Sequence, residues 1–148
     1  MFAGWVFALI FGASSCQKEE KLIDECDRLN TETEFFDVSV KARVEYNDFV
    51  PYEGPIRLRL YKTYCNGKVS GDFQQSGTTD EDGYFDPHYT YTYKYENLQD
   101  KVDLEWYAVD QDEKEVLVYQ DTFYYNDAED ENWLMIDVYE INLSWDAP

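Results

Sequence analysis

Histidine is nearly absent from this 148-residue chain: there is one, His88, beside 32 acidic residues and only 12 lysines and arginines, for a formal net charge of −20. A single histidine excludes metal centres built on two imidazoles and leaves any Ser-His-Asp or Cys-His device dependent on one side chain. His88 falls with Asp86 and Thr90 on the polar side of an alternating run, where it reads as a surface residue. No nucleophile-elbow sequence accompanies it. The shortage of cations excludes nucleic acid and anionic headgroups as partners, because a phosphate-binding surface needs a dense Lys/Arg patch. The asymmetry sharpens between Glu96 and Pro148, where Lys101 and Lys114 are the only basic residues. Such acidity keeps a protein solvated and off a membrane surface. A long apolar run is also lacking: the uncharged stretch Met1 to Ser15 falls short of the roughly 20 residues a spanning helix needs.

That stretch ends in Ala13-Ser14-Ser15 and is followed by Cys16 and then Gln17-Lys18-Glu19-Glu20. A short apolar run closed by small residues has the form of a secretory signal, removed in the mature chain. Ala13-Ser14-Ser15-Cys16 resembles the lipobox of bacterial lipoproteins, with Ala13 where that pattern usually has Leu. The resemblance implies that residues 1–15 are cleaved as a lipoprotein signal peptide and that the Cys16 thiol carries diacylglycerol. Gln17-Lys18-Glu19-Glu20 resembles the lysine-plus-acid signal that sends lipoproteins of some Gram-negative bacteria to the cell surface. Together they imply a protein lipid-anchored in the outer membrane and facing the cell exterior. Acyl anchoring is energetically reasonable, since each buried methylene contributes about 0.8 kcal/mol and two chains hold a protein stably.

Residues 16–33 are polar and of mixed charge, as a lipidated tether would be, and the folded domain is expected over residues 34–148. Hydrophobic residues make up 44% of the chain and aromatics 18%, so the mean hydropathy of −0.65 reflects carboxylates rather than a missing core. With Cys16 lipidated, Cys26 and Cys65 remain. In an oxidising compartment they either form a disulfide or stay as two thiols, and two cysteines do not make a zinc site. A bridge would restrict the unfolded chain by about 3–4 kcal/mol in the loop-entropy account.

Alternation dominates the rest. Val38, Val40, Ala42, Val44 and Tyr46 share one face of a strand, with Ser39, Lys41, Arg43 and Glu45 on the other. Ile56, Leu58 and Leu60 alternate with Arg57, Arg59 and Tyr61 after a loop containing Pro51 and Gly54. Asn66-Gly67 marks a turn before a weaker strand over 71–77, and Asp82-Gly83 marks the next. Phe85, Tyr89, Tyr91, Tyr93 and Tyr95 then line one face of a single long strand. Further strands are expected over 102–108, 116–125 and 133–145. In the last of these Ile136 and Val138 are out of phase with Ile141, Leu143 and Trp145, which predicts a β-bulge near Tyr139-Glu140. No amphipathic helix interrupts the pattern. About seven short strands separated by turn signals predict an all-β, antiparallel, immunoglobulin-like or transthyretin-like β-sandwich.

The stretch Gly77-Thr78-Thr79-Asp80-Glu81-Asp82-Gly83-Tyr84-Phe85 resembles the turn of carboxypeptidase-regulatory-like, or transthyretin-like, domains. Val44 to Leu60 is similar to the first two strands of that family and the loop between them. The resemblance implies a seven-stranded sandwich in which a strand ends at the threonines, Asp-Gly reverses the chain and the following aromatic returns to the core. It also implies a non-catalytic module.

Few constellations suggest chemistry. Asp80, Glu81 and Asp82, and the cluster Asp127, Glu129, Asp130 and Glu131, supply oxygen ligands but not a complete Ca²⁺ pattern, so both read as turns and no metal or cofactor is expected. Paired carboxylates for glycoside hydrolysis need a cleft that a small sandwich has little room for. The 14 tyrosines and 4 tryptophans are a stronger signal, because aromatic platforms suit polysaccharide or protein contacts. Tyr89, Tyr91, Tyr93 and Tyr95 form either a solvent-facing ladder for such a ligand or part of the core, and Tyr124 and Tyr125 offer a second contact point. Lys41, Arg43, Arg57 and Arg59 form a basic patch if the first two strands pair; otherwise they neutralise nearby acids. The sequence therefore reads as a non-enzymatic, surface-exposed lipoprotein, a glycan- or partner-binding accessory module of an outer-membrane assembly. The rival reading is an architectural stalk or assembly subunit that associates through strand edges.

Overall fold

A computed structural model describes residue 26 and residues 34–124 and 134–148. The signal segment, Cys16, Gln17-Lys18-Glu19-Glu20, most of the tether, Tyr125 and the acidic cluster at 127–131 lie outside the described residues. Eight strands follow one another: β1 (Glu34–Glu45), β2 (Pro55–Thr63), β3 (Val69–Thr78), β4 (Tyr84–Phe85), β5 (Tyr91–Tyr95), β6 (Lys101–Val109), β7 (Glu115–Tyr124) and β8 (Leu134–Asn142). They form the expected all-β sandwich of two sheets. One is antiparallel in the order β3-β2-β6-β7; in the other β1 is flanked by β8 on one side and by β5 and β4 on the other.

Both layers follow from the period of two. Val38, Val40, Ala42 and Val44 of β1 meet Ile56, Leu58 and Leu60 of β2 and Val102, Leu104, Trp106 and Ala108 of β6 in one core, each at most 2% exposed. Burying such side chains contributes roughly 1.5–3 kcal/mol each, which is why one register is selected over a slipped one.

Three details differ from the pattern read along the chain. The pairing of β1 with β8 is parallel, in unbroken register from Asp37 opposite Leu134 to Glu45 opposite Asn142. The bulge expected near Tyr139-Glu140 is therefore not there: Tyr139, Ile141 and Leu143 are buried and Val138 is exposed, so a single phase serves β8 and its extension. The extra residue sits instead at Val118, where Trp106 faces Tyr119 but Tyr107 faces Leu117. Finally, the long tyrosine strand is two strands. Pro87 has no N–H to give a ladder and His88 takes φ 50°, so residues 86–90 leave the ladder between β4 and β5.

Four reversals share one hydrogen-bond form. Tyr46, Tyr64, Asp80 and Asp110 each donate their N–H to the carbonyl four residues on and accept from the N–H three residues on. The fourth position of each turn is left-handed: Phe49 at 65°, Gly67 at 83°, Gly83 at 81° and Glu113 at 60°. Thr79 and Phe85 behave as the Thr…Asp-Gly…aromatic stretch implies. Thr79 is buried, with its hydroxyl donating to Tyr52 O and accepting from Gly54 N (3.0 Å), and Phe85 enters the core.

The two glycines separate backbone conformation from close approach. A Cβ at Gly67 meets open space, whereas one at Gly83 runs into Val44 O, and Gly83 O also accepts from Val44 N at 2.9 Å. Gly67→Ala is expected to cost about 1–2 kcal/mol for the left-handed backbone alone, and Gly83→Ala about 2 kcal/mol or more. Equal losses in urea titrations would contradict the close packing of this turn on β1.

Candidate functional site

The tyrosine ladder belongs to the core. Tyr91, Tyr93 and Tyr95 are 9%, 5% and 1% exposed. Residues opposite one another on antiparallel neighbours share a face, so Tyr91, opposite the buried Val38, must point inward. Its hydroxyl donates to Gly71 O at 2.6 Å, and those of Tyr93 and Tyr95 lie 3.2 Å apart. Only Tyr89 is exposed, stacked on Phe73 with centroids 4.3 Å apart. A solvent-facing ladder of these four residues is thus replaced by one surface tyrosine and three core residues. Tyr124 is also exposed.

The cations do not gather either, because β1 and β2 belong to different sheets. Lys41 pairs with Asp86 (2.7 Å), Arg43 with Glu45 (2.6 Å), Arg57 with Glu115 (2.5 Å) and Arg59 with Asp72 (2.8 Å). On the outer face of the β3-β2-β6-β7 sheet, Arg57 and Arg59 also lie over the rings of Tyr107 and Tyr61. Their hydrogen bonds hold Glu115 and Asp72 below the usual carboxylate range. Glu105 sits among them. Burial pushes its carboxyl up, but hydrogen bonds from Tyr107 (2.6 Å), Tyr61 (2.9 Å) and Arg59 (3.2 Å) outweigh that and leave it lowered. The hydroxyl of Tyr61, desolvated and bonded to Glu105, is pushed up to about 12.

Because the Glu105 carboxyl is depressed in the folded state, its contribution to stability is full above the unfolded value near 4.3 and is lost as pH falls through the lower folded value. Glu105→Gln is expected to be less stable than the parent at neutral pH, with the gap closing in acid. Urea midpoints measured from pH 7 down to pH 3 check this.

The two ends of the sandwich differ in kind. β2 runs about 30 Å from the 46–54 loop at one end to the Tyr64–Lys68 turn at the other. Cys65 in that turn is disulfide-bonded to Cys26, with Cα atoms 6.0 Å apart, which fixes Cys26 at this end. Beneath the turn, Asp100 is fully buried. Its carboxylate accepts from Cys65 N (2.9 Å), Glu96 N (3.0 Å) and Asn97 N (3.1 Å) and pairs with buried Lys62 at 3.1 Å. Lys62 also donates to Lys94 O at 2.6 Å. This end is a polar plug with a smaller depression of about 230 Å³ beside the turn, between Tyr64 and Asn97.

The opposite end carries the 46–54 loop, the Asp80 and Asp110 turns and the segment after β8. Three adjoining depressions here, of about 440, 490 and 200 Å³, share Asp110 or Trp145 in their walls, the larger two within the size range of small-molecule sites. The first lies between the start of β7, with Val116 and Leu117, and the extension Asn142 to Trp145; the other two lie on the far side of Trp145, against Gln111. The extension is fixed: Leu143 N donates to Glu45 O, Asn47 N to Trp145 O, Gln111 Nε2 to Asp146 O and Ala147 N to Asp48 Oδ1. Phe49, 76% exposed at its left-handed position, projects from the same end. Bulky residues seldom accept that conformation, and strain of this kind clusters at functional sites.

Sequence periodicity places Trp145 on the last strand's core face, and it does pack against the core, half-buried beyond the strand end, where it also forms part of the cleft wall. Asp110 and Asp112 line the cleft with it, and Asp146 follows it in the chain. Burial first, then the charges of Asp48 and Glu53, raise the nearby Tyr46 hydroxyl, which stays a donor. Asp80 and Asp110 spend one carboxylate oxygen each on the N–H groups of their own turns, as turn residues do. His88 is exposed and 3.4 Å from Asp86. No group of three or more His, Cys, Asp or Glu suited to a metal occurs among the described residues.

Neither protein-family models nor curated proteins yield a match to the chain. Among solved structures it is similar to a 9R-lipoxygenase from Cyanothece PCC8801, at 12% identity and a TM-score of 0.37, over 90% of this chain and 21% of that one. A likeness that slight carries no argument about fold or function.

Proposed function

We propose that this chain is a non-catalytic, lipid-anchored binding module displayed on the outer membrane, which holds its tether at one end and presents a binding surface at the other. The observation that carries the reading is the Cys26–Cys65 disulfide, about one strand length from the Trp145 cleft and the exposed Phe49. With Cys16 as the acylation point, the ten-residue step to Cys26 spans at most about 35 Å, and the cleft faces away from the bilayer. The acidic surface supports the same orientation, since it is repelled by anionic headgroups.

The test is metabolic labelling of the full chain with a clickable palmitate analogue, followed by protease treatment of intact cells. The parent is expected to be labelled and cleaved from outside, and Cys16→Ala to be unlabelled. An unlabelled or protease-protected parent overturns the display reading.

One observation favours the assembly reading. β3 is an outermost strand of its sheet, and its one charged side chain, Asp72, is engaged by Arg59. Sheet edges normally carry charges or prolines that prevent pairing. If β3 pairs with another copy, sedimentation velocity is expected to find an oligomer that Ser76→Lys dissociates. A monomer at all concentrations counts against it.

A further inference from the structure

We infer that the Trp145 cleft is a saccharide subsite, for a neutral or amino-substituted pyranose rather than an anionic one. The inference rests on the proposed display of this end and names what the end binds. A pyranose presents an apolar C–H face and a rim of hydroxyls, so its site needs an aromatic surface beside unspent donors and acceptors. The half-buried indole of Trp145 supplies the surface. Around it, the side chains of Asn142 and Ser144 and the second carboxylate oxygen of Asp110 hold no hydrogen bond among the described residues. The carboxylate can accept from sugar hydroxyls, and the amide and hydroxyl can do both.

The cleft is also preformed. Four hydrogen bonds from Leu143 N, Asn47 N, Gln111 Nε2 and Ala147 N fix the extension against both neighbouring loops, which lowers the ordering cost of binding. Those bonds also argue against an extended peptide. Strand addition needs a row of free backbone groups, and the extension's backbone is already committed to the 45–48 loop and to Gln111, which leaves only the β7 edge of the cleft to a peptide. Charge sets the saccharide class: Asp110 and Asp112 line the cleft, Asp146 and Asp48 lie beyond it, and no lysine or arginine is among the described lining residues, so a uronate or sulfated ring would meet acids with no cation to pair with.

The test is calorimetric titration of the detergent-solubilised full chain with cello-, xylo-, manno- and chito-oligosaccharides, with oligogalacturonate as the anionic arm and a lysine-rich peptide as the non-saccharide arm. Saturable binding of at least one neutral or amino oligosaccharide is expected, with none for oligogalacturonate. Trp145→Ala is expected to weaken it more than about tenfold, Trp145→Phe only a few-fold, and Asn142→Ala to an intermediate degree. Thermal unfolding of each variant separates lost binding from a lost fold, and Trp145→Phe with Asn142→Ala carries the test should Trp145→Ala not fold. Binding by no saccharide in the panel, preference for oligogalacturonate, retention of the peptide alone, or full binding by folded Trp145→Ala overturns the inference. Since the titration does not depend on acylation, its failure leaves the display reading standing, and failure of the labelling experiment leaves the subsite standing.

Discussion

Asp100→Ala is expected to destabilise the protein by about 3–5 kcal/mol, the range for removing one partner of a buried ion pair. Asp100 is fully buried, and its loss strands four donors at once: the Lys62 ammonium and the N–H groups of Cys65, Glu96 and Asn97. Lys62 keeps its bond to Lys94 O and a longer approach to Glu96 at 3.6 Å, neither of which replaces the buried charge. Asp100→Asn retains one acceptor and is expected to cost less. Adding Lys62→Met to Asp100→Ala should recover part of the loss by removing the stranded charge, while the three orphaned N–H groups keep the double variant below the parent. Urea titrations of the cycle measure the coupling. A loss for Asp100→Ala below about 1 kcal/mol would mean that the plug is solvated.

The second large effect is expected at Trp106. It is 0% exposed on β6 and meets Phe85 of the facing sheet edge-on, with centroids 6.1 Å apart at 89°. Trp106→Ala is expected to cost about 3–5 kcal/mol, a large share of the 5–15 kcal/mol that ordinarily holds a domain together. The indole has a second property: its Nε1 is buried without a hydrogen-bond partner among the described residues. An orphaned donor costs about 1–3 kcal/mol, so Trp106→Phe removes a penalty as it opens a smaller cavity. It is therefore expected to lose well under half of what Trp106→Ala loses. Chemical denaturation compares the two, and equal losses would show that the N–H is not an unsatisfied group.

The expectations that held depend on one strand at a time. The faces of β1, β2 and β6 were legible because side chains alternate across a strand regardless of neighbours, and the turns at Gly67 and Gly83 because glycine meets a local backbone demand. Pro87 and the phase of β8 show the limit. One missing N–H at Pro87 breaks a run whose tyrosines alternate as a single strand would, and an apparent phase change in β8 needs no bulge once Val138 faces solvent.

Chemical type and strand periodicity are determined by the sequence alone, since each is carried by residues a few positions apart, and a run of half-buried strands with no helix between them already implies a two-layer all-β body. Which strands become neighbours, that β8 lies parallel to β1, that Cys26 reaches Cys65, that Lys62 closes on Asp100, and that Trp145 stands in a cleft were decided only by the tertiary structure. The physical reason is shared. Each joins residues far apart in the chain, and their attraction depends on a distance that the other strands' packing sets, not on anything carried by the residues beside them.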